Sequence, residues 1–165
     1  MNIQERIIHQ LEALDIEFEH FRHEAVTSVA IGKEIYAREG IQGIHVKNLF
    51  LRNKKGSQHY LVTVLADKEV DLKKLSDTLE DRKLGFASSE RLQKHLGIAP
   101  GCVSPLALIN DTQLHTKVVF DADIDSSEHI HIHPGINTAS VVITVKDLVR
   151  FVECLGFEIF WTEIA

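Results

Sequence analysis

The sequence predicts an α+β fold: a single domain over residues 1–165 with a mixed, strongly curved, barrel-like sheet of about six or seven strands wrapped by helices. Three observations lead there. Apolar runs and period-two alternation recur along the chain, as strands require. Stretches with helical apolar spacing, five in all, separate them. Turn signals between neighbouring runs make hairpins more frequent than clean β-α-β alternation.

In chain order, Ile3, Ile7, Leu11 and Leu14 form the stripe of an amphipathic helix. IEFEHF (16–21) alternates in period two and reads as a strand. TSVAIGKEIYARE (27–39) returns to helical spacing and ends at Gly40, a suitable C-terminal cap. Residues 43–52 and 58–66 are rich in Val, Leu, Ile and Phe, and NKKGS between them marks a hairpin. VDLKKLSDTLE sets Leu72, Leu75 and Leu79 on one helix face. SSERLQKHLG is a short helix with serine at its N-cap and Gly97 as its stop. VSPLALI (103–109), KVVFDA, EHIHIHP and TASVVIT read as four more strands. Thr144-x-x-Asp147 then starts a last helix, which buries Val145, Leu148, Val149, Val152 and Leu155 and stops at Gly156.

Composition narrows the function classes. Hydrophobic residues make up 44% and charged residues 25%, the profile of an ordinary globular protein. No apolar run approaches the ~18 residues of a membrane helix. MNIQERIIHQ has an acid and no apolar h-region, so no signal peptide is expected. Cys102 and Cys154 have no C-x-x-C spacing, which points to a reduced cytoplasmic setting with both thiols in the core. A net charge of −6 argues against a grip on long duplex nucleic acid such as DNA. It leaves room for contact with one end of a nucleic acid. Basic residues cluster locally, as Arg52, Lys54 and Lys55, as Arg82 and Lys83, and as Arg91 with Lys94.

Three stretches carry candidate chemistry. In IHVKNLFL (44–51), Ile44, Val46 and Phe50 share one strand face with Asn48, and Leu49 and Leu51 share the other with His45 and Lys47. Apolar residues on both faces predict a covered central strand, where a lysine is costly unless compensated. Lys47 either snorkels or meets a carboxylate, or it lines a cleft and faces an anion such as a phosphate. In PGCVSP (100–105), Gly101 and Pro105 bracket a turn, either an ordinary one or one whose backbone N–H groups point outward to hold an oxygen. In HIHIHPGINT, His129, His131 and His133 alternate on one strand face: solvated, metal-binding, or with one histidine in a polar site. His133 ends that strand beside the Pro134-Gly135 turn, so its ring is placed to reach a cleft. No G-x-S-x-G, Walker loop or dinucleotide fingerprint is present.

HVKNLFLRNKKGSQHYLVTV, GFASSERLQKHLGIAPGCVSPLALIND and HPGINTASVVIT, with HEAVTS upstream, resemble the YbaK/ProX family of freestanding aminoacyl-tRNA editing domains. The same fold is inserted in bacterial prolyl-tRNA synthetases. The closest resemblance is to the branch that hydrolyses alanine mischarged on proline tRNA. The cysteine-removing branch shares the lysine and the G-x-x-x-P loop but is less like H-P-x-x-N. The resemblance implies a cytoplasmic trans-editing ester hydrolase with water as nucleophile, no cofactor and no metal. It acts on the acceptor end of a tRNA and has prolyl-tRNA synthetase as a possible partner. It sets Lys47 near the phosphate and ribose of the terminal adenosine. The backbone amides from Gly101 through Cys102, Val103 and Ser104 to Pro105 then approach the aminoacyl carbonyl. His133 matches the histidine of the alanine branch, and Asn48 and Asn137 fall within the motifs. The substrate's own 2′-hydroxyl is taken to assist, which explains the missing catalytic dyad. Val29, Ile31 or their neighbours are expected to narrow the pocket, and Arg52, Lys54, Lys55 and Arg91 to meet tRNA. His129 and His131 lie outside the motif and are expected on a solvated face. Other readings stay open: a deacylase for cysteine or serine, a metal hydrolase on the histidine strand, or a non-catalytic tRNA-binding module.

Overall fold

The structure, a computed structural model, describes residues 1–165. Five α-helices form: α1 (Ile3–Ala13), α2 (Val29–Glu39), α3 (Leu72–Thr78), α4 (Ser89–Leu96) and α5 (Val145–Cys154). Each begins on a side chain that accepts a backbone N–H of the first turn: Asn2, Ser28, Asp71, Ser88 and Thr144. Gly40 and Gly97 end α2 and α4 at φ of 68° and 64°, a left-handed conformation that glycine adopts without a Cβ clash.

The strands number eight: β1 (Glu19–Arg22), β2 (Ile44–Arg52), β3 (His59–Leu65), β4 (Gly85–Phe86), β5 (Thr116–Asp121), β6 (His129–Ile132), β7 (Ala139–Thr144) and β8 (Ile159–Thr162). The period-two stretch predicted over 16–21 becomes a strand only from Glu19. VSPLALI is not a strand. Pro105 occupies the first turn of a 3₁₀ helix, Pro105–Asn110, which Ser104 caps through its hydroxyl. The short strands β4 and β8 were not expected.

The sheet order is β1-β7-β6-β2-β3-β5-β8, with β4 also on β2. β6 on β2, β5 on β3 and β8 on β5 run parallel; the other pairs are antiparallel. The sheet is mixed as predicted but open, with β1 and β8 at its edges rather than closed into a barrel.

Helices cover both faces. Ile7 and Leu11 of α1, Leu92 and Leu96 of α4, and Leu148, Phe151 and Val152 of α5 join Val46, Phe50, Leu61 and Phe120 in the main core. Leu75 of α3 meets Leu51, Tyr60, Val62 and Val64 on the opposite face. Ile35 and Tyr36 of α2 pack there against Val142. β2 is therefore covered on both sides, as its two apolar faces required. Cys102 is in the core, but Cys154 is exposed at the last turn of α5, contrary to expectation.

One buried charge fixes the loop after β3. The Asp121 carboxylate has 0% side-chain exposure and accepts from Lys68 Nζ at 2.9 Å and from the Leu65 and Asp123 amides. Lys68 also meets Asp123, which is 54% exposed. Breaking a buried pair strands a charge, whereas a surface pair is worth little. Asp121→Ala should therefore lower stability by roughly 3 kcal/mol or more, and Asp123→Ala by less than about 1 kcal/mol. Urea denaturation of both variants checks this.

Candidate active site

Along one edge β2 is paired with β3 from Val46 to Arg52. Along the other, β6 pairs only at Ile44 and His45, and β4 only at Leu51 and Arg52. Between them the backbone of β2 has no strand beside it. A hollow of about 240 Å³ lies against this stretch. Its walls are His45 to Asn48 of β2, Val26 to Val29 leading into α2, Tyr36, Gly101, Val103 and His133.

Lys47 is half-buried and its ammonium donates to the Lys68 backbone carbonyl. That partner is neutral, so the lysine's charge is not cancelled by a carboxylate bonded to it. The nearby Asp67 is bound to Lys33 at 2.7 Å. Asn48 is oriented from β3, where the Thr63 hydroxyl donates to its Oδ1 at 2.6 Å, so its amide NH₂ is left as the donor.

The Gly101 loop faces these residues. Gly101 has φ of 85° and turns the chain. The Cys102 N–H is taken by the Ala99 carbonyl at 3.1 Å, while the N–H groups of Gly101, Val103 and Ser104 bond to no group of the chain. The side chains of Cys102, Ser104 and Pro105 point into the protein and frame the loop. Asn137 lies behind it: its side chain donates to the Val26 carbonyl at 3.2 Å, and its own carbonyl accepts the Val26 N–H at 3.0 Å. It holds the Val26 wall and does not itself line the hollow.

His133 Nδ1 bonds to the Ala139 carbonyl at 2.9 Å, which leaves Nε2 as an acceptor. Burial holds the imidazole below the usual histidine range, partly offset by that bond. Tyr36 and His45 of the wall pack ring to ring with His131 behind them, with centroids 4.2 to 5.3 Å apart. The alternation predicts a solvated His131, but the residue is 5% exposed and packs against Tyr36 of α2. Its Nδ1 meets the Gln42 carbonyl and its Nε2 has no partner. Burial pushes its pKa down to about 4.

The structure thus brings together Lys47, Asn48, Gly101, Val103, His133 and Val29. Ile31 is exposed and lies outside the lining. Arg52, Lys54, Lys55 and Arg91 sit toward the far end of β2. Arg52 bonds to the Asn53 and Lys54 carbonyls, and Arg91 to Gly56, while Lys54 and Lys55 are exposed. Sequence reading missed Tyr36 and His45 as walls. His45 shares the lysine's strand face two residues earlier and was the available signal. His129, His131 and His133 do not converge as a metal set; one grouping of three ligating side chains exists, and it lies elsewhere.

The family model for the aminoacyl-tRNA editing domain matches residues 33–151. The prolyl-tRNA editing protein ProX of Acetoanaerobium sticklandii is 38% identical over 156 residues, 94% of each chain. A prolyl-tRNA synthetase associated domain-containing protein 1 from Bos taurus is 32% identical over 154 residues, 90% of this chain and 88% of the relative. A crystal structure described as a candidate trans-editing enzyme for prolyl tRNA synthetase shares the fold. It has a TM-score of 0.73 at 22% identity and covers 99% of this chain and 97% of the other.

His131 makes the fold acid-sensitive. Its folded pKa of about 4 lies below its ordinary 6.5, so the folded state favours the neutral ring. The stability it contributes is complete above pH 6.5 and is lost as pH falls toward 4, by roughly 3 kcal/mol. His131→Gln should flatten this loss between those pH values, as measured by urea denaturation at each.

Proposed function

The chain belongs to the aminoacyl-tRNA editing domain family, and from that premise we propose that it is a cytoplasmic trans-editing hydrolase of alanyl-tRNA for proline. The observation that carries the reading is the Lys47 ammonium, bonded to a neutral carbonyl and lining a hollow together with Gly101 and Val103, whose N–H groups bond to no group of the chain. An aminoacyl ester is an activated acyl group, so no protein nucleophile is needed. Lys47 holds the phosphate and ribose of the terminal adenosine, and the amide of Asn48 donates to the sugar. The Gly101 and Val103 N–H groups donate to the carbonyl oxygen as it gains charge. Water adds to the carbonyl carbon, the bond to the ribose oxygen breaks, and that oxygen leaves protonated as the tRNA hydroxyl. The adjacent 2′-hydroxyl orients the water. The Nε2 of neutral His133 accepts a hydrogen bond from the alanyl ammonium or the water.

A hollow of about 240 Å³ falls below the range of ordinary small-molecule pockets. It suits an aminoacyl ester and part of its sugar. A synthetase built for proline rejects the smaller alanine poorly, because a missing methylene is worth only about 1–3 kcal/mol. A second, narrower site works in the opposite sense: it admits alanine and excludes proline by clash, with Val29 on the wall. Prolyl-tRNA synthetase is the enzyme whose errors such a site corrects, and the acceptor end is the part of the tRNA engaged.

Lys47→Ala should lower deacylation of alanyl-tRNA for proline by about 10²-fold or more with an unchanged circular dichroism spectrum. An undiminished rate refutes the role. Alanyl-, cysteinyl-, seryl- and prolyl-tRNA assayed side by side should show alanine removed fastest. In Val29→Ala the ratio of prolyl to alanyl hydrolysis should rise about tenfold, read from kcat/KM on the two substrates.

A further inference from the structure

We propose that His59, His95 and His115 form a site for one divalent transition ion of the zinc class, separate from the hollow beside Lys47. One ligand nitrogen from each of the three lies within 4.8 Å of the others. Nitrogens around a single zinc, each about 2.0–2.1 Å from it, stand about 3.3 Å apart, so convergence asks for ring rotation. His59 Nδ1 and His115 Nε2 are already 2.8 Å apart.

The three rings come from three elements whose backbones are tied together. His59 opens β3 and is paired with Arg52 and Thr116. His115 precedes β5, and Asp111 accepts both its N–H and that of Thr116. The Gln58 side-chain amide donates to the His59 and His115 carbonyls at 2.9 and 2.8 Å, linking the two chain segments that carry ligands. His95 lies in the last turn of α4, where the helix dipole favours a cation. His59 is buried, whereas His95 and His115 are half-exposed, so the cluster opens on one side to solvent for entry and for a water as fourth ligand.

The chemistry of the donors selects the ion. An all-imidazole set suits zinc, copper and nickel and discriminates against magnesium and calcium, which want oxygen. Without an ion, Arg91 donates to His59 Nε2 at 3.3 Å, which places the His59 proton on Nδ1, toward His115. An ion takes the place of that shared proton. The His59 proton then moves to Nε2, and Arg91 keeps its bond to the Gly56 carbonyl.

The test uses the full chain without a histidine tag, stripped with chelator and titrated calorimetrically with zinc chloride. One ion per chain is expected, with a raised melting temperature and, with cobalt, the visible absorption of tetrahedral coordination. His95→Gln and His115→Gln should each weaken binding about tenfold or more. His133→Gln should leave affinity for the ion unchanged, and deacylation by the wild type should be indifferent to chelator. The proposal is overturned by absence of saturable one-to-one binding, by binding that survives in both ligand variants, or by binding that is lost in His133→Gln.

Discussion

A half-buried ammonium bonded to a peptide carbonyl is the constraint from which the site follows. Lys47 sits mid-strand in a strand covered on both faces, where desolvating a charge costs several kcal/mol. A carboxylate in that position would cancel the charge. The Lys68 carbonyl satisfies one of its three N–H donors and leaves the net charge in place. The carbonyl is itself held in position, because the side chain of Lys68 reaches back to the buried Asp121. Two lysines are thus linked in series: one anchored on an internal acid, the other supported by the first residue's backbone with its charge uncancelled.

The second requirement is space beside that charge, and the sheet supplies it by diverging. Parallel pairing of β2 with β6 lasts two residues, and β4 returns to the same edge only at Leu51. Backbone groups left between these points must meet something other than a strand. The Gly101 loop and the segment before α2 close over the gap, the latter held by Asn137 through Val26. The walls are set by hydrogen bonds between backbone segments and by buried rings behind them.

Much of this was legible in the residues. The helix stripes, their caps and the hairpin at NKKGS depend on near neighbours, and those signals are local. Lys47 stood out because two apolar faces around a lysine make a contradiction that only tertiary structure resolves. VSPLALI misled because its apolar run fits a strand, yet Ser104 followed by Pro105 is a cap and first turn, and that local chemistry prevailed. β8 is four residues at a sheet edge with Phe160 and Trp161 exposed, so it lacked a burial pattern to read. His131 alternates with isoleucines and reads as a solvated face; it is buried because α2, distant in sequence, lies across it. Tyr36 reaches the hollow for the same reason. Helix packing across a sheet leaves no mark at a single position.

The distribution of charge sets how such a domain meets an RNA. At −6 the chain as a whole repels phosphate. Attraction therefore has to be local, and it is concentrated where a cation is held without a carboxylate bonded to it. Arg38 is paired with Glu24, whereas Arg52 and Arg91, like Lys47, bond only to neutral groups and keep their charge. Lys54 and Lys55 remain exposed, toward the far end of β2. A ligand drawn by this arrangement meets one strong point contact in a small hollow and weaker, salt-screened contacts beyond it.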